Sequence, residues 1–183
     1  EQQRVVYEFN DNAQKCPTDR TLTQLIEAQA AESPDVIAAI CEDQHLSYQE
    51  LNTRANQLAN FLRQAGVKSG CFVAILEQRG LNFVTAILAI WKAGGAYIPV
   101  DPKYPEDRVS YMLSNSEVAV VITCDTLLKC FNSSLSQCAH LETVICLDSL
   151  QLSTEQSSHY TFSVVDQQKV QQCSSDNLPS MST

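Results

Sequence analysis

The fifteen residues from Trp91 to Pro105, WKAGGAYIPVDPKYP, limit the fold more than any other stretch of the chain. Ahead of them Leu81, Val84, Ile87, Leu88 and Trp91 recur at helical spacing, which predicts a helix with these residues on its apolar side. Gly94 and Gly95 stop that helix, because glycine reaches the left-handed conformation that a helix exit usually needs. Ala96–Val100 is short, apolar and bounded by turn formers, which suits a buried strand. Asp101-Pro102 breaks the strand, and Pro105 can open the next helix at its first position, where a missing N–H costs nothing. Helix, exit, strand and helix entry in succession mark an α/β layer.

Other segments extend the pattern. Residues 1–20 look like an extended, linker-like lead-in, with Asn10-Asp11-Asn12 and Pro17 as turn formers. Thr21 begins a helix with Gln24 as capping-box partner, and Ser33-Pro34-Asp35 ends it. Val36–Cys41 and His45-Leu46 form a hairpin around Glu42-Asp43-Gln44. Ser47, with Glu50 in the reciprocal position, starts a long helix whose apolar side is Leu51, Ala55, Leu58, Ala59 and Leu62, closed by Gly66. Cys71–Leu76 and Val118–Thr123 read as buried strands, and Pro105–Asn115 as a helix between them. Asp125 caps a short helix over Thr126–Phe131, Asn132–Leu141 is loop-like, and Thr143–Leu147 is a last strand. The predicted fold is α/β, a mostly parallel sheet flanked by helices, over residues 21–148. Residues 149–183 form a polar tail rich in Ser, Gln and Thr, with one edge strand around Tyr160, Phe162, Val164 and Val165.

Charge and composition narrow the partners. With 12 basic and 21 acidic residues the net charge is −9, and no basic patch exists to release counterions from nucleic acid or an anionic membrane. No stretch reaches the roughly 18–20 apolar residues of a membrane span. The first residues, EQQRVVYEFND, are too polar for a signal peptide, so a cytoplasmic location is expected. Eight cysteines occur without a C-x-x-C pair. Cys124, Cys130 and Cys138 lie near His140, but their spacing fits no zinc pattern and ordinary reduced thiols are the expectation.

Residue patterns that carry known chemistry are nearly absent from the sequence. The chain has no G-x-x-x-x-G-K-S/T, no G-x-G-x-x-G, no H-E-x-x-H and no G-x-S-x-G. Ser47 and Ser110 have no neighbouring base, and His45 reads as a solvated hairpin residue. The best place for a site is Glu77-Gln78-Arg79-Gly80, at the carboxyl end of a predicted parallel strand. A solvated turn pair of Glu77 and Arg79 is the preferred alternative there. Lys92 reads as a helix-end cation suited to the helix dipole, with a binding role as the other option.

The wording of particular segments carries more. His45–Leu62, HLSYQELNTRANQLANFL, together with Trp91–Pro105, resembles the first two core motifs of amino-acid adenylation domains of non-ribosomal peptide synthetases, members of the adenylate-forming superfamily. Phe9–Gln29 is similar to the segment that leads into such domains from a condensation domain, and Asp101–Ser116 to the helix after the second motif.

That resemblance implies an incomplete N-terminal subdomain of an enzyme that uses ATP and Mg²⁺ to make an aminoacyl-AMP and load it onto a carrier domain. Asp176-Asn177-Leu178 resembles the approach to the family's phosphate loop, and Pro179–Thr183 departs from it. The loop, the substrate pocket and the catalytic residues have no counterpart at any position, so no catalytic, cofactor-binding or metal residue is assigned and no cofactor is expected in this fragment. A truncated chain, inactive alone, is the leading expectation. The alternatives are a scaffold or interaction module derived from such a domain, and a fragment of an acyl- or aryl-acid ligase. The implied partners are the remainder of the domain, carrier and condensation domains, and further copies of the chain through exposed apolar surface.

Overall fold

A computed structural model describes residues 2–6, 19–148, 150 and 160–179 of the 183. Helix α1 (Gln2–Val6) precedes α2 (Leu22–Glu32), and a hairpin of β1 (Ile37–Cys41) and β2 (Gln44–Ser47) follows. Next come α3 (Tyr48–Gln64), β3 (Phe72–Leu76), α4 (Leu81–Ala93), β4 (Ala96–Val100) and α5 (Glu106–Asn115). The order continues with β5 (Val120–Thr123), α6 (Asp125–Cys130), α7 (Asn132–Ser136), β6 (Thr143–Cys146), β7 (Ser163–Val165) and α8 (Gln167–Gln171).

Strands β4-β3-β5-β6-β7 form one sheet in that order, and every neighbouring pair is parallel. The α/β sheet flanked by helices is therefore as expected. Its register makes two faces. Ile75, Ile122, Ile145 and Val165 lie side by side and pack, with α3 and α4, into one core. Ala74, Val121 and Val144 face the other way, toward Val109, Leu113, Leu128 and Leu135 of α5, α6 and α7. A strand sends successive side chains to opposite faces, so continuous apolar runs are what a doubly covered sheet requires.

The caps form as the spacing predicts. Thr21 with Gln24, and Ser47 with Glu50, each make both halves of a capping box. At the far end of α3, Val67 N–H donates to Leu62 O at 2.9 Å and Gly66 N–H to Arg63 O at 3.0 Å. Helix α4 closes in the same way, with Gly95 N–H on Ile90 O and Gly94 N–H on Trp91 O, both at 3.0 Å. The two glycines have different reasons. Gly94 takes φ of 90°, whereas a Cβ on Gly95 would stand 2.9 Å from Val67 Cγ1 and 3.3 Å from Cys71 O. Gly94 is there for backbone conformation and Gly95 for close packing of the two helix exits.

Several expectations change. The lead-in contains α1, where Gln and Arg favour a helix, and the expectations for 7–18 lie outside the described residues. Strand β4 is an edge strand with only Val100 buried, because Pro99 has no N–H to offer a further neighbour. Val84 and Trp91 are exposed rather than buried, and Trp91 stacks edge-on against Tyr97 at 5.9 Å. Pro105 caps α5 from outside instead of opening it. Cys124, not Asp125, is the N-cap of α6, and the free Asp125 N–H is taken by the Asp148 carboxylate at 2.9 Å. The expected loop after Asn132 holds α7, which buries Ser134 and Leu135 against the second core.

Candidate functional site at the carboxyl edge of the sheet

Parallel strands end together, so the residues that follow β3, β5 and β6 meet at one edge. They are Glu77, then Cys124 and Asp125, then Leu147 and Asp148. Glu77 Oε1 accepts from Gln78 N–H at 2.9 Å, while Oε2 is buried and unpartnered. Lys129 Nζ donates to Asp125 Oδ2 at 2.7 Å, and Asp125 Oδ1 is buried without a partner. Thr123, the last residue of β5, has no exposure and an unpartnered hydroxyl.

The electrostatics follow from this crowding. Burial holds the Glu77 carboxyl above its ordinary range; the Gln78 N–H opposes that and the Asp148 charge adds to it. Burial also raises the Cys124 thiol, and it pushes Cys146 up to about 12 with help from Asp148 and Asp125. Both thiols are therefore protonated near neutral pH and are poor nucleophiles. The edge can repel anions and attract cations, but its described residues include no activated nucleophile.

The expected positions scatter. Glu77 is at this edge as anticipated, yet it is part-buried while Arg79 is exposed, so the expected solvated turn pair does not form. His45 is exposed on the hairpin. Cys130 and His140 are exposed, and Cys138 is buried with its Sγ 3.6 Å from Ser114 Oγ. Among the described residues no group of three or more His, Cys, Asp and Glu could hold a metal ion. Lys92 stands in the last turn of α4, as the helix-end reading expects. Its side chain is 1% exposed and ion-paired with Glu27 of α2, so it is not open to a ligand. Asp125 and Asp148 escape a reading of motifs, although Asp148 directly follows a predicted parallel strand and Asp125 stands two residues past one.

Glu77→Gln is expected to stabilise the chain at neutral pH. A folded pKa above the unfolded one means the native carboxyl holds its proton longer, so stability is lost as pH rises through the ordinary glutamate range. The substitution removes that loss. Urea midpoints from pH 4 to 7 check it: the wild-type midpoint should fall relative to the variant's as pH rises, and parallel curves would refute it.

Comparison with known proteins places these features. The family model described as AMP-binding enzyme matches residues 26–181. Tyrocidine synthase 3 of Brevibacillus parabrevis is 46% identical over 143 residues, 78% of this chain and 2% of its own length. Bacitracin synthase 1 of Bacillus licheniformis is 40% identical over 158 residues, 86% of this chain and 3% of its own. The chain thus spans a small part of the relatives it matches. A crystal structure of the non-ribosomal peptide synthetase FmoA3 in its α-methyl-L-serine-AMP bound form superposes with a TM-score of 0.69 at 27% identity, over 97% of this chain and 17% of that one. A coronafacic acid ligase from Pectobacterium brasiliense reaches a TM-score of 0.71 at 16% identity, over 81% of this chain and 28% of that one, and shows a shared fold alone. No helix among the described residues is long and apolar enough to cross a membrane.

Proposed function

Because this chain belongs to the AMP-binding enzyme family, we propose that it forms part of an amino-acid-activating adenylation domain of a non-ribosomal peptide synthetase, and that its share is scaffold. The observation that carries this reading is identity of 46% and 40% to tyrocidine and bacitracin synthases over 78% and 86% of the chain. The α-methyl-L-serine-AMP bound to FmoA3 supports an amino acid as the substrate class. An acyl- or aryl-acid ligase has the support of fold alone.

In adenylation an amino-acid carboxylate oxygen attacks the α-phosphorus of ATP. The new C–O–P linkage forms as the P–O bond to pyrophosphate breaks; Mg²⁺, held by groups of the complete domain, would supply compensation of the charge on the leaving group. A carrier-domain thiol then displaces AMP from the activated carbonyl. The first nucleophile belongs to the substrate, so the protein needs no activated side chain of its own. It must supply positioning and compensation of phosphate charge. Glu77, Asp125 and Asp148 make the described edge acidic, the wrong sign for a triphosphate, so the phosphate-binding groups lie elsewhere in the complete domain. This chain alone is inactive. ATP dependence and seven unpaired cysteines among the described residues support a cytoplasmic place for the enzyme.

The test is amino-acid-dependent ATP–pyrophosphate exchange. No exchange is expected from the 183 residues, and exchange selective for amino acids over aryl and fatty acids is expected from a longer polypeptide that completes the domain. Turnover by the short chain above about 1 s⁻¹ would overturn the scaffold assignment. Val36, Ile37 and Ile40 on the hairpin are 55%, 49% and 71% exposed, which favours the remainder of the synthetase, or a second copy, as a covering partner.

A further inference from the structure

Helix α3 carries a second row of residues besides its apolar one. Asn52, Asn56 and Asn60 recur every fourth position and so stand one above another on one face. Asn52 and Asn56 are only 8% and 1% exposed. Removing an amide from water is costly unless it finds partners, and the partners lie more than a hundred residues away. Asn60 Nδ2 donates to Ser174 O at 2.9 Å, and Asn56 Nδ2 to Ser175 O at 2.8 Å. Asn52 and Asn56 both donate to Asn177 Oδ1, each at 2.9 Å. Asn56 thus uses both of its amide protons, and Asn177 both lone pairs of its oxygen.

Two further residues of α3 reach the same stretch of chain. Gln57 Nε2 donates to Gln171 O at 2.8 Å. Arg63 Nη2 bridges Pro179 O at 2.9 Å and Lys92 O at 3.0 Å, which ties the segment to the end of α4 as well. Within the segment, Asp176 N–H donates to Ser174 Oγ at 3.1 Å and Ser174 Oγ donates to Asp176 Oδ2 at 2.9 Å, so the turn holds its own shape. Most of the acceptors are main-chain carbonyls. The hydrogen bonds therefore fix the path of the backbone and use one side chain of the captured segment, Asn177, while Leu178 beside it packs against the first core.

We infer that Asn52, Asn56, Asn60 and Arg63 are positioning residues that clamp residues 174–179 onto α3 and fix where the chain leaves Pro179. The inference rests on the adenylation reading, in which this segment leads toward the phosphate loop. A loop that orients a triphosphate needs a fixed root, since a misplacement of about 1 Å at a reacting centre can cost roughly 100-fold in rate. The clamp supplies that root from a helix that is itself held by the first core.

Limited proteolysis of the 183-residue chain tests the clamp without any activity. Asn177 is exposed and Asn60 half-buried, so variants there leave the core filled. Asn177→Ala is expected to speed cleavage within residues 174–178 by a non-specific protease roughly tenfold, with the sheet unchanged. Asn177→Asp, whose carboxylate can still accept from both asparagines, should keep wild-type protection, and Asn60→Ala should loosen the Ser174 end. Unchanged protection in Asn177→Ala, or equal loss in Asn177→Ala and Asn177→Asp, overturns the clamp. In a polypeptide that completes the domain, Asn177→Ala should raise KM for ATP and Asn177→Asp should restore it; unchanged KM and kcat overturn the positioning role. A failure of pyrophosphate exchange with the clamp intact would instead count against the adenylation reading.

Discussion

Glu27→Ala is expected to cost about 3–5 kcal/mol at neutral pH, because it leaves the Lys92 ammonium buried without its partner. The Lys92 side chain is 1% exposed and that of Glu27 is 20% exposed, so the two ends of the pair are not equivalent. Lys92→Met should cost less, since the glutamate left behind can turn toward water while a methionine fills the vacated space. The double variant, Glu27→Leu with Lys92→Met, should return close to wild type or above it, as buried pairs replaced by apolar groups often do. The pH dependence has a definite sign. Burial lowers the Lys92 pKa and Glu27 counteracts it, so removing Glu27 lowers it further. A lysine whose folded pKa lies below its unfolded one loses its proton first in the native state, and stability then rises with pH toward the ordinary lysine range. The deficit of Glu27→Ala should therefore shrink between pH 7 and pH 9.5 in urea unfolding. A deficit below about 1 kcal/mol at pH 7 would mean that Lys92 is solvated.

This pair also shows where sequence reading stops. Whatever depends on near neighbours is legible: Ser47 and Glu50 are three residues apart and form their box, and Gly66 and Gly94 end their helices as expected. Continuous apolar runs predict covered strands, and the sheet confirms them for β3, β5 and β6. The edge position of β4 was written in Pro99 but outweighed by its apolar neighbours. Lys92 meets Glu27 across 65 positions, and Asn56 meets Asn177 across 121. Nothing local marks such partners, because asparagines at 52, 56 and 60 read like any polar side of an amphipathic helix. The acidic edge falls between these cases. A parallel sheet brings its strand ends together, so the residues after each predicted strand can be grouped in advance. Their burial cannot, because it depends on how α6 and the chain after β6 cover the edge.

The second large effect belongs to the centre of the sheet. Ile122 is fully buried and lies in register with Ile75 on one side and Ile145 on the other, beneath α3 and α4. Close-packed interiors relax only partly around a deletion, so Ile122→Ala should cost about 2–5 kcal/mol, the transfer term plus the cavity left behind. Ile122→Val removes one methylene and should cost about 0.5–1.5 kcal/mol. Ile40, in contrast, is 71% exposed on the hairpin, and Ile40→Ala should stay within about 0.5 kcal/mol of wild type. The three variants separate burial from residue type, since all shorten an isoleucine. They also bear on how the clamp is supported, because Ile122 packs in the same core as Leu58 and Leu62 of α3. If Ile122→Ala weakens that core without unfolding it, resistance of residues 174–178 to proteolysis should fall along with that of α3, whereas Asn177→Ala should lower the former alone. Equal costs for Ile122→Ala and Ile40→Ala would show that the sheet does not carry the buried row described for it.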